Sequence, residues 1–192
     1  MGRGVCVVTV TELRIPGCLL IVPDHSEDER GTFVKTYHEP TWQSLGLRTD
    51  WVEEYYSISH QGVLRGLHCQ LPPSDHVKVV SCLSGRAFDV VVELRKGSPL
   101  YGKTISLVLD AAQPSLVYIP AGLAHGFYTM SPEATVAYRV TSVYDPEHDA
   151  GILWSSVDIA WPAASPIVSA RDAALPPLSQ FKSAFVYRQE AS

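Results

Sequence analysis

The 192-residue chain carries 15 Lys and Arg against 20 Asp and Glu, a formal charge of −5, with both signs scattered along its length. No basic run is long enough to track a polyphosphate backbone or lie on an anionic bilayer, so nucleic-acid and membrane partners are excluded and any anion must be met locally. The length favours one domain, residues 1–192, and Cys6, Cys18, Cys69 and Cys82 include no C-x-x-C pair, which makes zinc-ribbon and disulfide-scaffold readings poor.

The opening MGRGVCVVTVTEL holds an apolar stretch too short for a signal-peptide core, and no later run approaches a membrane span. A soluble, cytoplasmic protein is expected. CLLIV (18–22) reads as a strand, and PTWQSLGL (40–47) as a helix capped by Thr41. Then VKVVSCL (77–83), AFDVVVEL (87–94), TISLVLD (104–110), LVYI (116–119) and ATVAYRVTSV (134–143) follow between turn signals, a spacing that predicts an all-β barrel or sandwich. Ser84-Gly85 and Pro114-Ser115 separate runs expected to be neighbouring antiparallel strands. After Trp161 a tail rich in Pro, Ala and Ser is expected to wrap the barrel.

Ionisable groups gather in three segments. In VLRGLHCQ (63–70), strict alternation places Arg65 and His68 on opposite faces, so bringing both to one pocket requires a bulge, for which Gly66 is the place. Alone, His68 reads as a structural histidine. Lys78, among β-branched residues, either faces solvent from an edge strand or is held by an anion. IPAGLAHGF (119–127) contains P-x-G-x-x-H, which resembles the second motif of the cupin superfamily and points His125 into a jelly-roll barrel. Many cupins bind a metal with this histidine, together with two histidines and a glutamate from an earlier motif. Here that stretch reads His68-Cys69-Gln70, with His76 the nearest substitute, so no metal is expected. In ATVAYRVTSV, Ala134, Val136, Tyr138 and Val140 share a face, which turns Tyr138 inward in need of a polar partner.

Taken together, DERGTF, VLRGLHCQ, VKVV, FDVVVELRKGSPLYG, IPAGLAHGF, AYRVTSVYDPEHDAGILW and IVSARD resemble, in order, successive blocks of the dTDP-4-dehydrorhamnose 3,5-epimerase family. The resemblance implies a dimeric cupin-like jelly roll that uses no cofactor and acts on a nucleotide-diphosphate 4-keto-6-deoxyhexose. Position by position it implies His68 as the base, Asp172 as its partner, Tyr138 as the acid and Lys78 as the group that stabilises the enolate. Arg30, Arg65 and His125 fall on the diphosphate-binding positions, and Lys35, Ser57 and Tyr144 on further substrate contacts.

The chemistry suits these roles. A 4-ketone acidifies C3–H and C5–H, and a neutral imidazole oriented by a carboxylate can remove either proton. A lysine on the developing oxyanion is worth roughly 3 to 4 kcal/mol in comparable sites. The chain departs from the family's Gln-x-Asn-x-Ser with Glu53-Glu54-Tyr55-Tyr56-Ser57, and has Lys35 where a glutamate is usual. Lysine has no acceptor for a thymine N3–H. A CDP-linked sugar is therefore an alternative substrate, set against a Lys35 that points to solvent. Two rivals of other classes are a metal-dependent cupin and a non-catalytic sugar-nucleotide-binding protein.

Overall fold

Apolar side chains at every second position turn the strands into two antiparallel sheets that face each other across a shared interior. The computed structural model describes residues 8–188, and Cys6 lies outside them. One sheet has six strands in the spatial order β1 (Thr9–Glu12), β2 (Leu19–Val22), β10 (Leu116–Ile119), β7 (Lys78–Ser84), β12 (Glu133–Val140) and β5 (Glu53–His60). The other has β13 (Asp149–Gly151), β6 (Leu64–Gln70), β11 (Leu123–Thr129), β8 (Arg86–Glu93) and β9 (Thr104–Asp110). A separate hairpin, β3 (Asp24–Asp28) and β4 (Gly31–Lys35), pairs with neither sheet. This is the expected all-β, cupin-like jelly roll.

Val80, Cys82, Val91, Leu109, Val117, Phe127 and Val136 fill the space between the sheets. The outer face of the six-stranded sheet is covered by Trp42 of the short helix α1 (Glu39–Ser44). The tail expected to wrap the barrel does so: Leu178, Phe181 and Phe185 pack over the outer face of the five-stranded sheet, beside Ile159 and Trp161. With both faces covered, β11 is buried along its whole length despite carrying His125.

Three local expectations are corrected. Ser84-Gly85 does not join paired neighbours, because β7 and β8 lie in opposite sheets, as do β9 and β10 on either side of Pro114-Ser115. Both members of each pair present an apolar face to one interior, and the chain satisfies both by crossing the sandwich. Thr41 is not the helix cap. The helix begins at Glu39, with Pro40 in its first turn where a missing N–H costs nothing, and His38 at the N-cap contacts Thr41 Oγ1 through Nδ1 at 2.9 Å. The strand read as 134–143 stops at Val140, beyond which Ser142 turns its hydroxyl to Ser74 O.

Candidate active site

Between the sheets opens a cavity of about 710 Å³. Eight of the ten predicted site residues line it: His68, Arg65, Lys78, His125, Tyr138, Asp172, Ser57 and Tyr144. Arg30 and Lys35 do not. Both are exposed on the β3–β4 hairpin, where Arg30 bridges Asp28 and Lys35 sits opposite Asp24.

Arg65 and His68 reach one pocket through the anticipated irregularity at Gly66. Across β6 and β11, His68 pairs with His125 and Arg65 with Phe127, so two residues of β6 stand against one of β11. Gly66 has φ +125°, and a Cβ there would meet Gly126 Cα at 2.6 Å, so no other residue fits. The His68–His125 register also places two imidazoles side by side on the interior face.

Each imidazole is held by an aspartate. His68 Nε2 lies 2.8 Å from Asp172 Oδ1, while Asp172 Oδ2 accepts the Gly66 N–H at 3.1 Å. Sequence separation is overcome by the tail. Ile167 bridges to Val63 at the start of β6, and Ser169 then caps the one-turn helix α2 (Ala170–Ala173) by accepting from Asp172 N at 3.0 Å. Burial acts against ionisation of Asp172. The His68 hydrogen bond and charge, the Gly66 N–H and Ser169 outweigh it and hold the carboxyl below its ordinary value. With Asp172 ionised, His68 Nε2 carries the hydrogen and Nδ1 carries the lone pair.

His125 Nε2 lies 2.7 Å from Asp89 Oδ2, both almost fully buried. Burial pushes the His125 pKa down, opposed by the Asp89 charge and hydrogen bond. Tyr138 enters from the opposite sheet, and burial pushes its phenol well up, with the neighbouring Ser57 hydroxyl acting the other way. Lys78, also from the six-stranded sheet, is buried, and its pKa is lowered by that burial against the pull of Cys69, Asp89 and Asp149. No carboxylate lies within ion-pair distance of it among the described residues.

Four further contributors, Asp89, Arg171, Asp149 and Tyr55, carry no site assignment from the sequence. Asp89 is legible only as a charge between Phe88 and the Val90-Val91-Val92 run, a placement that demands a partner. Arg171 lies 3.4 Å from His68 Nε2 and pairs with Asp149 at the cavity mouth, where the Tyr144 hydroxyl also reaches Asp149 at 3.3 Å. Tyr55 stacks on Tyr138 with ring centres 4.8 Å apart. Neither Arg171 nor Tyr55 gives a periodic signal. Among the described residues no group of three or more His, Cys, Asp or Glu side chains is arranged to hold a metal ion. Among the same residues no helix is long and apolar enough to cross a membrane.

A family model described as dTDP-4-dehydrorhamnose 3,5-epimerase matches residues 12–180. A dTDP-4-dehydrorhamnose 3,5-epimerase of Shigella flexneri is 38% identical over 168 residues, covering 86% of this chain and 93% of its own. Among solved structures, a dTDP-6-deoxy-D-glucose-3,5-epimerase of Legionella pneumophila in complex with dTDP-4-keto-L-rhamnose aligns with a TM-score of 0.89 at 33% identity, covering 96% of this chain and all of the other. A 4-keto-6-deoxy sugar epimerase of Streptomyces spheroides aligns at 0.86 and 35% identity, covering 93% and 91%. The matched residues, 12–180, take in every residue that lines the cavity, and the chain belongs to the dTDP-4-dehydrorhamnose 3,5-epimerase family of isomerases.

Proposed function

We propose that the chain inverts C3, C5 or both in a dTDP-linked 4-keto-6-deoxyhexose, with His68 as base and Tyr138 as acid. The observation that carries this reading is the placement of the two groups. His68 projects from the five-stranded sheet and Tyr138 from the six-stranded sheet, so they address a sugar between them from opposite sides. Inversion needs that arrangement, because the proton must leave one face of the carbon and return to the other. His68 takes the proton at Nδ1, and Asp172 stabilises the imidazolium. The electron pair of the C–H bond passes to the ketone oxygen as an enolate, and Lys78, a buried cation without a carboxylate partner, takes that charge. Tyr138, kept protonated by burial, returns a proton to the opposite face.

Arg65, whose Nε donates to Ser59 Oγ at 2.9 Å, has further guanidinium hydrogens for the diphosphate at the pocket wall. Arg30 and Lys35 stand outside the pocket of their own chain. Their substrate-binding role therefore belongs to a homodimer in which each hairpin reaches the cavity of the other copy. The exposed Phe33 on that hairpin is in keeping with a covering partner. A dTDP-linked sugar is preferred to the CDP-linked alternative because the Shigella and Legionella relatives carry dTDP-sugar names.

Incubation with dTDP-4-keto-6-deoxyglucose, followed by proton NMR of the ring couplings, tests the reading. Inverted product is expected, and its absence with a protein that binds dTDP would overturn it.

A further inference from the structure

Beside Lys78 the cavity wall contains a hydrogen-bond network that the proposed proton transfers do not use. Gln70 Oε1 accepts the Asp145 N–H at 2.8 Å, which identifies the other end of the amide as nitrogen. That Nε2 lies 2.7 Å from Ser74 O, 3.1 Å from Ser142 Oγ, 3.2 Å from Val143 O and 3.3 Å from His76 Nδ1. Ser142 Oγ lies 2.7 Å from Ser74 O and 3.1 Å from His76 Nδ1.

Counting hydrogens assigns the imidazole. Carbonyl oxygens only accept, so Ser74 O and Val143 O take the two Gln70 amide hydrogens, and Ser74 O also takes the Ser142 hydroxyl hydrogen. Nothing is left to donate to His76 Nδ1, which must itself donate to Ser142 Oγ. Burial, with the Lys78 charge adding to it, takes the His76 pKa from 6.5 down to about 3, so the ring is neutral at pH 7 and its lone pair sits on Nε2. Nε2 makes no hydrogen bond to the described residues and is not among the atoms sealed without a partner, and His76 lines the cavity.

We propose that His76 is a specificity-determining residue whose Nε2 accepts a hydrogen bond from the hexose hydroxyl next to the ketone. The inference rests on the sugar-nucleotide reading above and extends it. Two residues apart at the start of β7, Lys78 offers only donors and His76 Nε2 only an acceptor. An α-hydroxy ketone presents the complementary pair, a carbonyl that accepts beside a hydroxyl that donates. The diphosphate and the 6-methyl group offer His76 no hydrogen to accept.

Two measurements test this. In protein labelled with 15N-histidine, with the His76 signals identified by their loss in His76→Asn, Nδ1 is expected at a pyrrole-type shift and Nε2 at a pyridine-type shift at pH 7; the reverse pattern overturns the assignment. Calorimetry then compares dTDP, a dTDP-6-deoxyhexose and its 3-deoxy counterpart. Wild type is expected to favour the hydroxylated sugar by roughly three- to tenfold, the worth of one ordinary hydrogen bond. His76→Gln, whose Oε1 falls near the Nε2 position, should keep that preference, and His76→Asn should lose it. If dTDP itself fails to bind, the sugar-nucleotide reading falls and this inference with it. If dTDP binds and wild type treats the two sugars alike, the role of His76 alone is refuted.

Discussion

Asp172→Asn changes one oxygen to an NH2 group, and the local geometry dictates which one. Asp172 Oδ2 accepts the Gly66 N–H, so the asparagine carbonyl must remain there and its NH2 must face His68 Nε2 across 2.8 Å. That NH2 donates, so Nε2 becomes the acceptor and the ring hydrogen moves to Nδ1, the nitrogen assigned to take the substrate proton. Restoring the active tautomer points two N–H groups at each other. The cost is a lost charge-assisted hydrogen bond, about 1.5 to 3 kcal/mol, plus an unsatisfied buried donor, about 1 to 3 kcal/mol. Allowing for overlap between these, about 3 to 5 kcal/mol separates the variant from wild type, a loss of roughly 10²- to 10⁴-fold in kcat with KM little changed. The assay is NMR-monitored turnover of dTDP-4-keto-6-deoxyglucose at saturating substrate. A loss below tenfold, or one expressed only in KM, would refute the tautomer argument.

Lys78→Met removes a buried amine that has no carboxylate within ion-pair distance among the described residues, and keeps its length. Turnover should fall roughly 10²- to 10³-fold while the melting temperature stays level or rises; a large loss of stability would mean Lys78 is a structural partner and not a free cation. Gly66→Ala should destabilise by at least about 2 to 3 kcal/mol in urea unfolding, since the new Cβ has only backbone to displace. The folded-state pKa of His76 lies below its unfolded value, so between pH 6.5 and about 3 the unfolded chain binds a proton the folded chain refuses. Stability should therefore fall as pH drops through that window, and His76→Asn should make the fall shallower by up to about 1.4 kcal/mol per pH unit, read from urea midpoints between pH 6.5 and 4.

The strands that face the apolar interior were plain in the sequence, since Val80, Cys82, Val136 and Tyr138 keep the two-residue period that sheet burial requires. The bulge at Gly66 was equally legible, because Arg65 and His68 fit one pocket only if alternation fails between them. β5 escaped notice for the opposite reason. Its cavity-lining positions are Glu53, Tyr55 and Ser57, so a strand lining a polar cavity loses the apolar alternation that reveals strands elsewhere. The β3–β4 hairpin has little core to serve and left no apolar pattern. Asp172 and His68 come together through the tail's bridge to Val63, a contact without local periodicity, and only resemblance to a family pointed to that pair. In the sequence His76 stands out only as a metal-ligand substitute, since its tautomer depends on Ser142, far along the chain.

The direct test of base and acid on opposite sheets is a single experiment with Tyr138→Phe in deuterated water, following deuterium content and configuration at C3 and C5 of the recovered dTDP-4-keto sugar. His68 should still exchange the proton on its own face, so deuterium is expected to enter with configuration retained and little inverted product. Inverted sugar formed at the wild-type rate would contradict the assignment of Tyr138 as the acid, and with it the two-sided mechanism.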